Sequence, residues 1–331
     1  MGSAAAQARV NPSEFAALVG DDMAATDRMI GERLQSGAAL VGQLGHYIIA
    51  SGGKRLRPML ALLSARAHGY QGHRHVDIAA IIEFIHTATL LHDDVVDGSY
   101  MRRGKQTANL VFGNAASVLV GDFLYSRAFQ MMVDIGNMRV MEVLADATNA
   151  IAEGEVLQLA NCHDPDTTQD RYLDVIRNKT AKLFEAAARL GTIISDREAE
   201  TGDNLAAYGV HLGTAFQLVD DVLDYRGSAA EIGKNIGDDL AEGKPTLPLL
   251  YAMWRGTPEQ AALLRGVIEN GGRDRFQHVL DVIESTGAIA YTARLAEQEA
   301  RAARAALGVL PPSPYRDALD SLARYAISRQ S

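Results

Sequence analysis

Two clusters of aspartates carry the first chemical signal in this chain. Asp93, Asp94 and Asp97 close one long apolar stretch, and Asp220, Asp221 and Asp224 close another. In a helix, residues four apart share a face, so each cluster offers two carboxylates one turn apart. Like charges at that spacing cost a helix about 0.2–0.5 kcal/mol per pair. Repeating that cost in two places calls for a cation to offset it. Oxygen donors on helices suit Mg²⁺, which keeps several waters and bridges carboxylates to phosphate oxygens. A lone DDxxD reads as readily as a solvated acidic helix end. Here the clusters also share their surroundings. Thr87, Ala88, Leu91, Asp93, Asp94, Val95 and Asp97 recur at the same spacing as Thr214, Ala215, Leu218, Asp220, Asp221, Val222 and Asp224, which suggests two equivalent helices.

Basic segments lie beside the clusters. Ser51-Gly52-Gly53-Lys54-Arg55-Leu56-Arg57-Pro58 leads glycines and cations into a proline suited to a first helical turn, the makings of an anion site. Arg102-Arg103-Gly104 follows the first cluster, and Asn178-Lys179-Thr180 falls within a helical pattern. Gly233-Lys234-Asn235-Ile236-Gly237-Asp238-Asp239 and Gly243-Lys244-Pro245-Thr246 follow the second cluster. Taken singly, each reads as surface charge. Set beside Mg²⁺ ligands, together they suggest diphosphate recognition. His86 precedes Asp93 by seven residues on the same face, a place for either a substrate contact or a satisfied core histidine. His68, His73 and His75 match no metal-ligand spacing and read as exposed loop residues. No Ser-His or Cys-His pattern points to a protein nucleophile.

The rest of the chain must position these groups. It has 331 residues, 47% hydrophobic and 22% charged, an ordinary globular composition. Its formal charge of −9, from 41 acidic against 32 basic residues, argues against a nucleic-acid partner and at first sight against any anionic ligand. Yet the two clusters and the Asp238-Asp239 pair hold nearly as many carboxylates as that surplus. Cys162 is the one cysteine, which excludes a disulfide framework and fits a cytoplasmic location. Neither a signal peptide nor a transmembrane segment is expected. None of the nine prolines falls between Met59 and Asp164 or between Asp166 and Lys244, so long helices are allowed there. Apolar residues recur at three and four, as in Ile78, Ile81, Ile82 and Ile85, and no run alternates as a strand would. The spacing predicts helices near 13–50, 58–70, 75–98, 114–133, 138–161, 169–198, 203–226, 246–255, 258–269, 273–306 (broken) and 313–329. Loops fall at Gly52-Gly53 and over 98–114, 161–168 and 227–245. The expected fold class is all-α, with 1–331 forming one domain.

These motifs, in this order, resemble the trans-polyprenyl diphosphate synthases. The resemblance rests on Gly53-Lys54-Arg55-Leu56-Arg57-Pro58, Leu90-Leu91-His92-Asp93-Asp94-Val95-Val96-Asp97, Arg102-Arg103-Gly104, Lys179-Thr180, Phe216 to Asp224 and Gly243-Lys244-Pro245-Thr246. It covers nearly the whole chain and is weakest before about residue 45 and after about residue 255. It implies a large helical bundle around a central cavity, usually a homodimer. Asp93 and Asp97 would bind two Mg²⁺ ions and Asp220, with Asp224, a third. Gly53, Lys54, Arg57, His86 and Arg103 would hold isopentenyl diphosphate. Arg102, Lys179, Thr180, Gln217, Lys234 and Lys244 would hold the allylic diphosphate. Ionisation of the allylic ester, attack by the isopentenyl double bond and loss of a proton then need no protein nucleophile.

Within the family, the product grows along the helix that carries the first cluster. Ala88 and Thr89 stand five and four residues before Asp93, where short-chain enzymes commonly carry bulky aromatics. Small residues there leave a tunnel open, and Phe129 or Met132 is a candidate for its floor, with plain core packing as the alternative. The blocks 84–104 and 121–130 most resemble bacterial octaprenyl and related long-chain synthases of quinone side-chain synthesis. The expectation is a farnesyl primer, a product of about eight to ten units for the ubiquinone side chain, and transient membrane contact for that product. Rival readings are a shorter-chain synthase, a terpene cyclase or head-to-head synthase, a non-catalytic subunit and a Mg²⁺-dependent phosphate-ester hydrolase. The isopentenyl site and the intact clusters weigh against the cyclase and the subunit.

Overall fold

Proline-free segments rich in Ala, Leu, Met and Glu favour helix, and helices fill the molecule. The computed structural model describes residues 12–50, 52–226 and 237–328. Its elements are α1 (Pro12–Ala17), α2 (Gly20–Arg33), α3 (Ala39–Ala50), α4 (Leu56–Ala67), α5 (Arg74–Val96), a hairpin of β1 (Met101–Arg102) and β2 (Lys105–Gln106), α6 (Ala108–Phe112), α7 (Asn114–Ile135), α8 (Met138–Asn161) and α9 (Gln169–Ile176). A π-helical turn (Arg177–Ala181) joins α9 to α10 (Lys182–Ile194). Then come α11 (Glu198–Arg226), α12 (Asp238–Ala241), α13 (Leu247–Arg255), α14 (Pro258–Asn270), α15 (Phe276–Thr286), α16 (Ala288–Ala306) and α17 (Pro314–Ser328). The fold class is all-α, with one two-stranded ribbon among the described residues.

Three local expectations are corrected. The single helix over 13–50 is three helices, because the chain turns before Gly20 and again at Ser36-Gly37. At the second break Ser36 Oγ accepts from the Ala38 amide, a local alternative to the helical ladder. The loop over 98–114 contains the ribbon, whose register pairs Arg102 with Lys105. Its two turn residues, Arg103 and Gly104, both have positive φ (54° and 76°), as a type I′ turn requires. Of the three clustered histidines only His73 is exposed. His75 sits in the first turn of α5, 1% exposed, with Nε2 3.0 Å from Asp22 Oδ1, and His68 Nδ1 lies 2.7 Å from the Ser64 carbonyl oxygen.

The inner layer is α4, α5, α10 and α11. α5 packs on α7 and α4, α10 on α4 and α11, and α11 on α16. Leu60, Leu62, Leu63, Ile78, Ile81, Ile82, Phe84 and Ile85 are all buried to within 1%. Each such side chain gains about 1.5–3 kcal/mol over exposure. Glycines bring the helices close around the π turn. A Cβ on Gly213 of α11 would stand 2.5 Å from Ala181 Cα, and one on Gly154 of α8 would stand 2.6 Å from the Lys179 backbone nitrogen. Only residues without Cβ let α8 and α11 close on this turn from both sides. Among the described residues no helix is long and apolar enough to cross a membrane.

Candidate active site

α5 is apolar on most of its circumference and polar along one inward stripe. Glu83, His86, Thr89, Leu90, Asp93 and Asp97 follow one another at helical spacing and line a cavity of about 910 Å³. α11 contributes Phe216, Gln217, Asp220, Asp221, Leu223 and Asp224 to the same cavity. Gly53, Lys54 and Arg57 enter from the start of α4, Arg102 and Arg103 from the hairpin, Lys179 and Thr180 from the π turn, and Lys244 from the segment before α13. The sequence-predicted residues thus converge, with four exceptions. Lys234 lies outside the described residues. Ala88 is fully buried in the main core, whereas its neighbour Thr89 lines the cavity. Met132 is also core at 1% exposure, and Phe129 is 40% exposed; neither reaches the cavity lining.

The two aspartate clusters are built alike. In each, the outer aspartates line the cavity and the middle one is hydrogen-bonded into the protein, although Asp221, unlike Asp94, also borders the cavity. Asp94 is fully buried and receives Arg102, whose Nε and Nη2 stand 2.7 and 2.6 Å from its Oδ1. Asp221 is 3% exposed and accepts from the Tyr172 hydroxyl at 2.5 Å and from Gln217 Nε2 at 2.9 Å. Burial, then the nearby Asp239 charge, pushes the Asp221 carboxyl up to about 8. Arg102 therefore serves a structural partner as well as facing the cavity. Replacing it by Met is expected to cost about 3–5 kcal/mol, because Asp94 keeps a buried charge without its guanidinium. Urea unfolding measures this, and an unchanged midpoint would refute the role.

Lysines attend the outer aspartates. Lys179 Nζ stands 2.6 Å from Glu155 Oε2 and 3.8 Å from Asp93 Oδ2. Lys244 Nζ stands 2.9 Å from Asp97 Oδ2 and 2.5 Å from Glu242 Oε2. Burial works against the Lys244 charge, but Asp239, Asp97 and Glu242 outweigh it and hold the ammonium firmly protonated. Burial and then Asp93 push Glu155 up to about 7, against the pull of Lys179. Thr180 Oγ1 donates to Gln217 Oε1 at 3.1 Å, joining the π turn to α11.

The opposite end of the cavity is basic. Arg57 Nη1 lies 3.3 Å from His86 Nε2, and its guanidinium sits 4.4 Å from the Phe184 ring centroid. Burial brings Arg57 down to about 10 despite the charges of Glu83 and Asp220. Burial, reinforced by Arg57, Arg103, Arg102 and Arg55, holds His86 well below its ordinary range, so its ring is neutral near pH 7. Lys54 Nζ is 5.5 Å from the Tyr325 ring centroid, which brings α17 to this end.

Several lining residues escaped the sequence reading: Arg55, Glu83, Glu155, Gln158, Asn161, Tyr172 and Tyr325. Glu83 had a visible signal, a lone charge in the apolar run from Ile78 to Ile85. Glu155, Gln158 and Asn161 had a weaker one, polar residues every third position on α8.

Among the described residues, no group of three or more His, Cys, Asp or Glu side chains stands ready to enclose a metal ion. Asp93 and Asp97 on α5 and Asp220 and Asp224 on α11 instead give one cavity two all-oxygen walls. This donor set fits a hard divalent cation that completes its shell with water and phosphate oxygens. Residues 38–284 match the polyprenyl synthetase family. The chain is 56% identical over 321 residues to the octaprenyl diphosphate synthase of Escherichia coli (strain K12), covering 97% of this chain and 99% of that one. It is 46% identical over 317 residues to the all-trans-nonaprenyl-diphosphate synthase (geranyl-diphosphate specific) of Rhodobacter capsulatus, covering 96% and 97%. Its fold superposes with a TM-score of 0.95 on the polyprenyl synthase from Caulobacter crescentus CB15, crystallised in complex with calcium and isoprenyl diphosphate, at 45% identity over 98% of this chain and 100% of that one. On a family match over most of its length and on relatives this similar, the chain belongs to the polyprenyl synthetase family, the trans-polyprenyl diphosphate synthases.

Proposed function

We propose that this synthase condenses an allylic diphosphate with successive isopentenyl diphosphates to an all-trans chain of about eight to ten isoprene units, for the ubiquinone side chain. The carrying observation is the joining of two aspartate walls and two basic sets in one cavity. Relatives named for octaprenyl and nonaprenyl products support the length. In this reading Lys179, Thr180, Gln217, Lys244 and Arg102, with Lys234, orient the allylic diphosphate. Asp93, Asp97, Asp220 and Asp224 would hold divalent cations, about three Mg²⁺, which would supply positive charge to offset that of the departing diphosphate. Gly53, Lys54, Arg57, Arg103 and the neutral His86 hold isopentenyl diphosphate with its double bond toward the allylic carbon. Leu90, Phe216 and Leu223 keep water from the electron-poor carbon.

The primer is farnesyl diphosphate in our reading, and geranyl diphosphate is the competitor that the Rhodobacter relative's name supplies. Exposed apolar side chains on α7 and α8, among them Leu119, Val133, Met138 and Val156, support a homodimer. We assign the enzyme to the cytoplasm, with membrane contact limited to product delivery. The test combines farnesyl or geranyl diphosphate, labelled isopentenyl diphosphate and Mg²⁺, with products sized by chromatography. Absence of Mg²⁺-dependent elongation would overturn the reading. Turnover of farnesyl diphosphate without isopentenyl diphosphate would point to a cyclase, and free alcohol to a hydrolase.

A further inference from the structure

The basic end of the cavity gathers more positive charge than any single loop would tolerate. Arg55, Arg57 and Arg103 all line it, and Lys54 stands at its rim. Their mutual repulsion is visible in the guanidinium of Arg103, held below its ordinary range by burial and by Arg102 and Arg55. Something in the fold must hold these side chains together before any phosphate arrives.

Glu83 is placed to do so. It lies on the inward stripe of α5, one turn before His86, and is 4% exposed. Its Oε1 forms an ion pair with Arg55 Nη1. Its charge also acts on Arg57 and Arg103. Its Oε2 is enclosed without a hydrogen-bond partner, as is Arg57 Nε. Enclosing a carboxylate with an unsatisfied oxygen is costly, and its sequence neighbours on α5 are apolar. Core packing alone would favour another apolar residue here.

The backbone around the arginines needs the same restraint. Arg55 caps α4 from the left-handed region at φ 49°, after Gly52 and Gly53 at 79° and 148°. A non-glycine residue in that region needs its surroundings to hold it. Arg103, itself at φ 54°, donates from Nη1 to the Gly52 carbonyl oxygen. Gly53 itself adopts φ 148°, open to glycine, and the Arg103 guanidinium lies over it where a Cβ would stand 2.8 Å from the guanidinium carbon. Glu83 engages this locked pair from the α5 side through Arg55.

We propose that Glu83 is a positioning residue for isopentenyl diphosphate. Its carboxylate fixes Arg55, and through Arg55 the loop whose Gly52 carbonyl holds Arg103, in the arrangement that receives the diphosphate. It does so through the arginines, because a carboxylate repels the ligand itself. The proposal rests on the function assigned above, and one set of kinetics separates the two.

Each substrate is varied in turn with the wild-type enzyme and Glu83→Gln. The KM for isopentenyl diphosphate is expected to rise about tenfold or more, equivalent to about 1.4 kcal/mol, while the KM for farnesyl diphosphate stays within about twofold. Glu83→Asp keeps the charge on a shorter arm and is expected to recover part of the loss. It also carries the two-substrate comparison where the Gln variant does not fold. Equal rises in both KM values, or no rise in either, would overturn the proposal. A wild-type enzyme that does not elongate would overturn the functional assignment instead.

Discussion

Asp93→Asn is expected to lower kcat for chain elongation by about 10²–10³-fold, the usual cost of removing one preorganised group that stabilises developing charge. Asp93 lines the cavity beside Lys179 and Glu155, so the substitution takes one anionic oxygen from the α5 wall. The fold should not suffer. Asp93 and Asp97 repel one another at i and i+4, and losing one of the two charges relieves that repulsion. The metal-free variant should therefore melt at or above the wild-type temperature. Asp94→Asn should behave in the opposite way, because its carboxylate anchors Arg102 inside the protein and is absent from the cavity lining. Single-turnover kinetics at saturating Mg²⁺, paired with melting curves, distinguish the two. Activity of Asp93→Asn within tenfold of wild type would remove Asp93 from the chemistry.

Thr89→Phe is expected to shift the product from about eight to ten units to short chains of about three or four. Thr89 lies four residues before Asp93, about 6 Å along the α5 axis at 1.5 Å per residue. It is on the cavity face, and its hydroxyl donates back to the His86 carbonyl oxygen at 2.8 Å. A ring at this position occupies the route by which a growing chain leaves the metals. Ala88→Phe is expected to shorten the product as well, but at a price in stability of about 1–3 kcal/mol, because Ala88 is fully buried and a ring there overpacks the core. Chromatographic sizing of products beside thermal melts reads both effects. An unchanged product distribution in Thr89→Phe would show that the chain leaves by another path.

The parts of this site legible in the sequence are those whose chemistry is local. Asp93 and Asp97 reveal themselves because two like charges one turn apart are conspicuous beside an apolar run. Gly53, Lys54 and Arg57 do so because glycines before a cationic helix start have a short list of uses. Glu155 could not be found that way. A glutamate on a long helix is ordinary, and only the approach of the π turn across Gly154 makes it the partner of Lys179. Arg55 was hidden for a similar reason, since its reach to Glu83 depends on a left-handed backbone that no composition announces. The fold shows the same division. Missing prolines permitted long helices, but they could not show that 13–50 breaks twice, where Gly20 and Ser36-Gly37 offered only weak turn signals. The ribbon at 101–106 was invisible to a search for alternation because each of its strands is two residues long.

The π turn at Arg177–Ala181 sets a limit on length variation in this part of the chain. One residue of α-helix is about 100° of rotation. Lys179 and Thr180 face the cavity, while Leu183, Ala187 and Leu190 of the following α10 face the core. Deleting one residue to regularise the helix would turn one of these sets away from its target. Either the lysine leaves the diphosphate or the core loses its apolar face. Single-residue deletions at 177–181 should therefore be rejected as sharply as loss of an aspartate. Helical register, set by one surplus residue, joins the chemistry at one end of this segment to the packing at the other.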